Sequence, residues 1–151
     1  MSVEYDKLVI VTGFDDGSVF PIKHTGFGQN ISPAFEIQNL SKDAKSIAVI
    51  LEDLSHPIKN FTHWIVWNIK AEPIIPENVG NQDGVKQGIA YGFHKYAGPK
   101  PPASSKHLYR FSIYSLDTML DLTPNTMKKK LLKAMNDHIL QKGTLTGYCE
   151  R

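Results

Sequence analysis

Residues 108–116 read LYRFSIYSL, and the alternation in this stretch decides the fold class. Tyr109, Phe111 and Ile113 fall on one face of an extended chain, and the residues between them fall on the other. A period of two residues is the period of a β-strand, and aromatic and β-branched residues are common in strands. We therefore predict a strand over Leu108–Leu116 in a chain that is mainly β.

Five other short runs rich in aliphatic and aromatic residues are separated by Gly, Pro, Asn and Asp, which is typical of strands joined by turns. These predicted strands are Leu8–Val11, Val19–Ile22, Ala34–Ile37, Ile47–Leu51 and His63–Ile69. Ile47–Leu51 is apolar throughout, which indicates burial on both faces. Trp64 and Trp67 alternate with aliphatic residues, and we predict that both pack in the core.

One segment has the period of a helix, because apolar residues recur at every fourth position. They are Met127, Leu131, Met135 and Ile139. Pro124 suits the first turn of a helix and Gly143 suits the residue after its end, so we predict a helix over Pro124–Lys142. Three consecutive lysines at positions 128–130 either form a patch for a phosphate or partner, or lie on a solvated face, which is the commoner arrangement.

The composition is that of one folded domain, and we predict a single domain over residues 1–151. The chain has 41% hydrophobic and 21% charged residues, with a net charge of +2 at pH 7. So small an excess of positive charge gives no strong field for nucleic acid. The single cysteine, Cys149, can form neither an internal disulfide nor a multi-cysteine zinc site, so the core must stabilise the fold.

The N-terminal segment carries Glu4, Asp6 and Lys7 before a short apolar run. It lacks the basic stretch and the small-residue cleavage site of a signal peptide. The longest apolar runs, such as residues 46–51 and 64–67, are far shorter than the roughly 20 residues needed to cross a bilayer. We therefore expect no membrane span and a cytoplasmic location.

Segment Asn81–Ser105 contains four glycines and three prolines, which interrupt every regular element across it. Long loops in compact domains are usually functional or disordered, and the aromatic residues Tyr91, Phe93 and Tyr96 argue against disorder. We therefore expect this segment to line a binding site. The same aromatic residues are equally suited to a homodimer contact.

Asp53, His63 and His107 lie at predicted strand ends, where a sheet positions side chains that solvent can still reach. Imidazole N–H groups donate to phosphate oxygens, and the N–H groups of a glycine-containing loop add further donors. A carboxylate beside such a site either holds an imidazole in its donating form or accepts the proton of a monoprotonated phosphate. These residues therefore favour an anion site whose affinity falls as the pH rises.

Four motifs follow one another along the chain: DLSHP at residues 53–57, FTHWIVWNI at 61–69, GPKPP at 98–102 and HLYRF at 107–111. Each motif alone is a weak indicator of a protein family, but four motifs in this order are a specific one. Together they resemble the phosphatidylethanolamine-binding protein family, and the short chain resembles its prokaryotic Raf-kinase-inhibitor-like branch. The resemblance covers nearly the whole chain.

The resemblance implies a Greek-key β-sandwich with a few peripheral helices, one of them near the C-terminus. It also implies a small pocket for phosphate-like anions and phosphorylated headgroups, with no established catalysis. The pocket residues that it implies are Asp53, Pro57, His63, Gly98, Pro99, Pro101, Pro102, His107 and Tyr109. Ser55 stands where the family usually has an acidic residue, which weakens the case for ethanolamine headgroups. His56 is a further departure, which either joins the anion site or is a solvated loop residue, and we favour the second interpretation.

We therefore expect a non-catalytic protein that binds phosphate or phosphorylated headgroups without a cofactor. The resemblance implies a regulatory role, like that of a kinase or protease inhibitor, with a small phosphorylated molecule or anion, a phosphorylated protein or a kinase as partner. The alternative is an enzyme, a metal- or His-dependent phosphoester hydrolase that uses Asp53, His63 and His107. A thiol enzyme built on Cys149 is disfavoured, because the neighbouring residues do not lower a thiol pKa.

Overall fold

A computed structural model describes residues 5–151 of the chain. Residues 1–4 belong to the predicted domain 1–151 and to the segment considered for a signal peptide, and they lie outside the described residues. In chain order the strands are β1 (Asp6–Lys7), β2 (Ile10–Val11), β3 (Ser18–Val19), β4 (Phe35–Ile37), β5 (Ser46–Asp53), β6 (Phe61–Lys70), β7 (Ile74–Ile75), β8 (Lys86–Gln87), β9 (Lys106–Leu116) and β10 (Ile139–Glu150). The helix α1 spans Lys128–Met135, and short 3-10 turns span Ile22–His24 and Val79–Asn81.

Two sheets pack against each other, and the larger one carries the longest strands. The large sheet has the order β1-β10-β9-β5-β6-β8, with β3 also paired to β10, and the small sheet has the order β2-β4-β7. Phe35, Ile37 and Ile75 of the small sheet belong to one core with Trp64 and Phe111 of the large sheet. The chain is therefore mainly β, with two packed, unclosed sheets and a helix near the C-terminus, which confirms the predicted β-sandwich.

The alternation of β9 separates two cores, as predicted. Tyr109, Phe111 and Ile113 pack between the two sheets, whereas Tyr114 and Leu116 belong to a second core on the other face of the large sheet. Strand β9 lies in the middle of this sheet, between β5 and β10. Both of its faces are therefore covered along most of its length.

Strand β5 is buried at every residue, which confirms the burial predicted on both faces. The small sheet covers one face, and Leu131 and Met135 of α1 cover the other. Trp64 and Trp67 of the neighbouring β6 are 1% and 0% exposed and lie in opposite cores. The prediction that both tryptophans are core residues is confirmed.

The predicted helix Pro124–Lys142 is wrong at both ends. Its N-terminal part does not enter the helix, because the Thr126 carbonyl accepts a hydrogen bond from the Ile89 amide and is held outside it. Helix α1 begins at Lys128 and occupies only eight residues. The last periodic residue, Ile139, belongs to a strand instead.

Strand β10 was missed because glycines occupy inward positions. Every second residue from Gln141 to Cys149 is buried, but Gly143 and Gly147 contribute no apolar side chain to the pattern. A Cβ atom on Gly143 would lie 2.6 Å from the Ile10 side chain, so the strand passes too close to its neighbours for a larger residue. Gly143 is therefore required by strand packing and not by a helix end.

The first predicted strands divide between sheets. Only Ile10 and Val11 of the run Leu8–Val11 form a strand, which is β2 of the small sheet. The preceding strand β1 pairs with β10 in the large sheet, so the chain passes from one sheet to the other at Leu8 and Val9. In the run Val19–Ile22 only Val19 belongs to a strand, and Pro21 precedes the 3-10 turn Ile22–His24. Segment Asn81–Ser105 holds only the two-residue strand β8. No helix within residues 5–151 has the length and apolar character needed to span a membrane.

Candidate functional site

Asp53, His107 and Tyr109 meet because their strands are neighbours. Asp53 is the last residue of β5, and its Cα pairs with that of Tyr109 in the antiparallel strand β9. Paired residues lie on the same face of a sheet, and residue i−2 lies there too. His107 therefore joins Asp53 and Tyr109 on one face, although 54 positions separate His107 from Asp53 along the chain.

A β-bulge brings His63 to the same face. In the pairing of β5 with β6, Leu51 faces Trp64 and Glu52 faces Thr62, so His63 has no Cα partner. A bulge places an extra residue in one strand and redirects its side chain. The His63 ring lies 5.3 Å from the Tyr109 ring, while Trp64 lies in the core on this face. Without the bulge, His63 would point to the opposite face of the sheet.

These side chains line a cavity of about 410 Å³, which we call the strand-end cavity. Its lining residues are Asp53, Ser55, His56, Pro57, His63, Tyr91, Lys100, Pro101, Pro102, His107 and Tyr109. Seven of the nine residues predicted for the site are among them. The two others, Gly98 and Pro99, are buried and do not line it.

Gly98 and Pro99 hold the proline-containing loop, residues 98–102, in place behind the cavity. The Gly98 amide donates to Asn30 Oδ1 at 2.8 Å, and the Pro99 carbonyl accepts from the Gly26 amide at 2.8 Å. A Cβ atom on Gly98 would lie 2.3 Å from the His24 carbonyl oxygen, so a larger residue cannot fit. The Gly98 N–H group predicted as a donor to an anion is thus already used within the fold.

The Asp53 carboxylate uses both oxygen atoms to organise its surroundings. Oδ2 lies 2.7 Å from Nδ1 of His107, and Oδ1 accepts a hydrogen bond from the Ser55 amide at 2.9 Å. Asp53 is only 2% exposed. Because the carboxylate accepts from Nδ1, the Nε2 edge of His107 is left for a ligand. Of the two roles predicted for Asp53, this geometry favours holding an imidazole.

Ser55 joins the loop after β5 to the start of β9. Its hydroxyl oxygen accepts a hydrogen bond from the Leu108 amide at 2.9 Å, and the side chain also lines the cavity. A hydroxyl at this position adds no negative charge. The departure from the family pattern therefore leaves Asp53 as the carboxylate among the described lining residues.

His63 is held differently from His107. Its Nδ1 atom lies 2.8 Å from the Ala97 carbonyl oxygen, and because a carbonyl only accepts, Nδ1 carries a proton. Burial lowers the pKa of His63, and this effect outweighs the hydrogen bond donated to the Ala97 carbonyl oxygen and the charge of Asp53, which raise it. A neutral His63 then presents a lone pair at Nε2. His63 can therefore donate to an anion only when Nε2 also carries a proton.

Tyr109 forms the floor between the two histidines. Its ring lies 5.3 Å from that of His63 and 6.2 Å from that of His107. Burial, followed by the negative charge of Asp53, raises the pKa of Tyr109 well above its usual value. The hydroxyl therefore stays protonated at physiological pH and can act as a hydrogen-bond donor.

Two aromatic side chains form the rim of the cavity. His56 stacks on Phe61 with ring centroids 4.1 Å apart and an angle of 12° between the rings. Tyr91 stands in a tight turn, with a left-handed φ of 53°, and its ring lies 4.9 Å from that of His63. His56 is thus a half-buried lining residue, which corrects its interpretation as a solvated loop residue. Tyr91 belongs to the segment Asn81–Ser105, whose aromatic content led to the prediction that it lines a site.

The opposite face of the same strands carries an ion-pair cluster. Glu52 lies 2.8 Å from Lys128 Nζ and 3.0 Å from Arg110 Nη2. Lys128 also donates to the Asn60 carbonyl oxygen at 2.8 Å. The first lysine of the run at 128–130 is therefore a partly buried structural residue, and not part of a solvated face as predicted.

The structure gives no support to the enzymatic alternatives. Within residues 5–151, no three His, Cys, Asp or Glu side chains lie close enough together to hold a metal ion. The proposed hydrolase set of Asp53, His63 and His107 thus gains no support as a metal site. Burial raises the pKa of the Cys149 thiol, which is opposite to the activation that a thiol enzyme needs.

Both the sequence and the fold of this chain recur in other proteins. The profile of the family described as phosphatidylethanolamine-binding protein matches residues 11–150, a range that contains every predicted site residue. The UPF0098 protein of Pyrococcus horikoshii is 38% identical over 153 residues, which cover 96% of this chain and 77% of that protein.

Two solved structures have the same fold as this chain. A phosphatidylethanolamine-binding protein homologue from Chlamydia trachomatis has a TM-score of 0.84 and 30% identity, with 97% of this chain and 99% of that chain covered. Escherichia coli YbcL has the same TM-score at 22% identity, with 96% and 99% covered, and supports the fold alone. The fold of two packed sheets is thus shared by this chain and both solved structures. The chain belongs to the phosphatidylethanolamine-binding protein family.

Proposed function

We propose that this protein binds inorganic phosphate or a phosphorylated small molecule in the strand-end cavity and catalyses no reaction. The observation that carries the proposal is the 2.7 Å contact between His107 Nδ1 and Asp53 Oδ2. With Nδ1 directed at Asp53, the Nε2 edge of His107 is free to donate an N–H group to a phosphate oxygen when the ring carries both protons. Hydrogen bonds between charged groups are stronger than those between neutral groups, which suits a phosphate ligand.

A further residue of the cavity supports an anionic ligand. The Tyr109 hydroxyl, which keeps its proton, supplies another donor. Lys100 also contributes to the lining, but its ammonium group lies over the Phe27 ring, 5.9 Å from the ring centre, and Phe27 is not among the lining residues. The cavity thus offers hydrogen-bond donors to an anionic ligand.

The class of ligand suggests a regulatory role. A cavity that holds a phosphate group can take it from a small molecule, from a lipid headgroup or from a phosphorylated segment of a protein such as a kinase. A role like that of a kinase or protease inhibitor is therefore part of the proposal, together with the expected cytoplasmic location. Competition between inorganic phosphate and phosphoserine peptides would rank these sources.

A titration of the histidine ring signals by two-dimensional NMR tests the proposal. Inorganic phosphate or O-phosphoethanolamine at millimolar concentration should shift the signals of both His63 and His107 and raise the pKa of His107. The same titration of Asp53→Ala should show a weaker response, because the carboxylate that orients and stabilises the imidazolium is gone.

The chain contains a matched control for this titration. His138 Nδ1 lies 2.8 Å from Asp117 Oδ1, so the same pair of residue types occurs on the surface, far from the cavity in the fold. Its signals should not move with phosphate at constant ionic strength. If His63 and His107 move no more than His138, the anion-binding function is wrong.

A further inference from the structure

His63 and His107 present different chemistry to the same ligand. The Nδ1 proton of His63 is committed to the Ala97 carbonyl in every charge state of the ring. The ring is 95% buried, since only 5% of the residue is exposed, and its other nitrogen is Nε2. In the neutral ring Nε2 carries a lone pair and can only accept a hydrogen bond. When the ligand oxygen is also unprotonated, its lone pair faces the lone pair of Nε2. No proton lies between the two atoms, so they form no hydrogen bond.

We propose that His63 makes the strand-end cavity selective for phosphomonoesters and inorganic phosphate over phosphodiesters and sulfate. This proposal rests on the anion-binding function above and names the class of ligand. The contact between Nε2 and a ligand oxygen needs one shared proton. A phosphomonoester oxygen is basic enough to hold that proton near neutral pH, whereas the oxygens of a diester or of sulfate are not.

The second ionisation of a phosphomonoester falls near pH 6, so its monoprotonated form is readily reached. Binding of the dianion at pH 7.5 therefore takes up a proton from solution, which then bridges the ligand oxygen and Nε2. For sulfate or a diester the proton must stay on the ring. Burial lowers the pKa of His63, so a protonated ring costs more here than in water.

The groups around His63 reinforce this requirement. The titratable or charged residues that line the cavity with it are Asp53 on β5, His56 in the following loop, Tyr91 in the turn, Lys100 in the proline-containing loop, and His107 and Tyr109 on β9. Asp53 favours a proton on His63, and His56 opposes one. Asp53 also repels each negative charge of the ligand, and a shared proton reduces that repulsion. The Lys100 ammonium lies over the Phe27 ring, 5.9 Å from the ring centre, and Phe27 does not line the cavity.

Calorimetric titration of the full chain with three small probes tests the proposal. Methyl phosphate, dimethyl phosphate and sulfate are compared at pH 7.5, each in two buffers of different ionisation enthalpy. Methyl phosphate should bind roughly tenfold or more tightly than the other two, the effect of one charge-assisted hydrogen bond, and should take up as much as one proton. Sulfate controls for charge, because it is also a dianion, and dimethyl phosphate controls for the phosphorus centre.

A variant and a pH series separate selectivity from binding itself. In His63→Gln the side-chain amide can donate without a titrating proton, so proton uptake at this position should disappear and the preference should fall to less than about threefold. The surface control His138→Gln should keep both the proton uptake and the preference for methyl phosphate. In the unaltered chain, lowering the pH to 5.5 should bring the affinities of sulfate and dimethyl phosphate closer to that of methyl phosphate. This comparison does not depend on the folding of a variant.

The outcomes distinguish the two proposals. Equal affinities for the three probes, or a preference that does not change between pH 7.5 and 5.5, would overturn the selectivity while leaving anion binding intact. Loss of the preference in His138→Gln would also overturn the assignment to His63. If none of the probes binds, the proposed function fails together with the selectivity.

Discussion

Asp53 Oδ2 lies 2.7 Å from His107 Nδ1, and adjacent antiparallel strands hold the two residues together. The side chains are 3% and 13% exposed. A second pair of the same kind, Asp117 and His138, has a contact of 2.8 Å, but each side chain is 44% exposed. The molecule therefore contains one buried and one exposed version of the same ion pair, which allows the effect of burial to be measured within one fold.

Asp53→Ala should lower the free energy of unfolding by roughly 3 kcal/mol, because removing one member of a buried pair leaves its partner uncompensated. The Ser55 amide also loses its acceptor. Asp117→Ala should change the free energy of unfolding by less than about 1 kcal/mol, as is typical of exposed pairs. Urea denaturation of the two variants measures both values, and equal losses would contradict an effect of burial.

His63 should make the stability of the protein depend on pH. Its pKa is lowered from 6.5 by burial, so below pH 6.5 the unfolded chain binds more protons at this residue than the folded one. The contribution to stability is full above about pH 6.5 and is lost as the pH falls towards and through the folded-state pKa. His63→Gln cannot titrate and should therefore lose less stability than the unaltered chain between pH 7.5 and pH 5.

Urea denaturation at several pH values measures this difference. The pKa of His24 is also lowered by burial, but His24 is present in both proteins and its contribution cancels. Parallel curves of unfolding free energy against pH for the unaltered chain and His63→Gln would show that the folded-state pKa of His63 is not lowered.

Much of the fold and the site could be predicted from local patterns. The alternation over Leu108–Leu116 was sufficient to place Tyr109 on one face with Phe111 and Ile113, because a strand buried on one face repeats every two residues. Polar residues at the ends of apolar runs were sufficient to nominate Asp53, His63 and His107. The chemical role of each histidine could not be predicted in this way. The donor or acceptor character of His63 depends on the Ala97 carbonyl, 34 positions away, and on a bulge in β6.

The largest error in secondary structure has a similar origin. Strand β10 has buried glycines at alternate positions, so its period of two is invisible to a count of apolar side chains. The helical period of the preceding residues then continues by coincidence to Ile139. Strand pairing decides the outcome, because β10 forms an antiparallel ladder with β9 that extends from Ile139 to Glu150. Such nonlocal hydrogen bonds leave no trace in a window of ten or twenty residues.

Lys128 and Lys129 should respond differently to the loss of their charge. Lys128 Nζ lies 2.8 Å from the buried Glu52 carboxylate, and its side chain is 25% exposed. Lys128→Met should lower the free energy of unfolding by roughly 1–3 kcal/mol, because Glu52 would keep only Arg110 as a cationic partner. Lys129→Met, on the exposed part of the helix, should change it by less than about 0.5 kcal/mol. Thermal denaturation distinguishes the two, and equal effects would argue against a structural role for Lys128.

Gly143 offers the sharpest test of the strand that replaces the predicted helix end. A Cβ atom at this position would lie 2.6 Å from Ile10 Cδ1 and 2.9 Å from Leu8 Cβ, so Gly143→Ala should cost roughly 1–3 kcal/mol of unfolding free energy through overpacking. Gly13→Ala is the matched control, because no atom lies within 4 Å of its added Cβ and the backbone is not left-handed. Its effect should stay within about 1 kcal/mol and should be stabilising if alanine restricts only the unfolded chain. Urea denaturation compares the two variants, and a Gly143→Ala protein as stable as the Gly13→Ala protein would contradict the close approach of β10 to its neighbours.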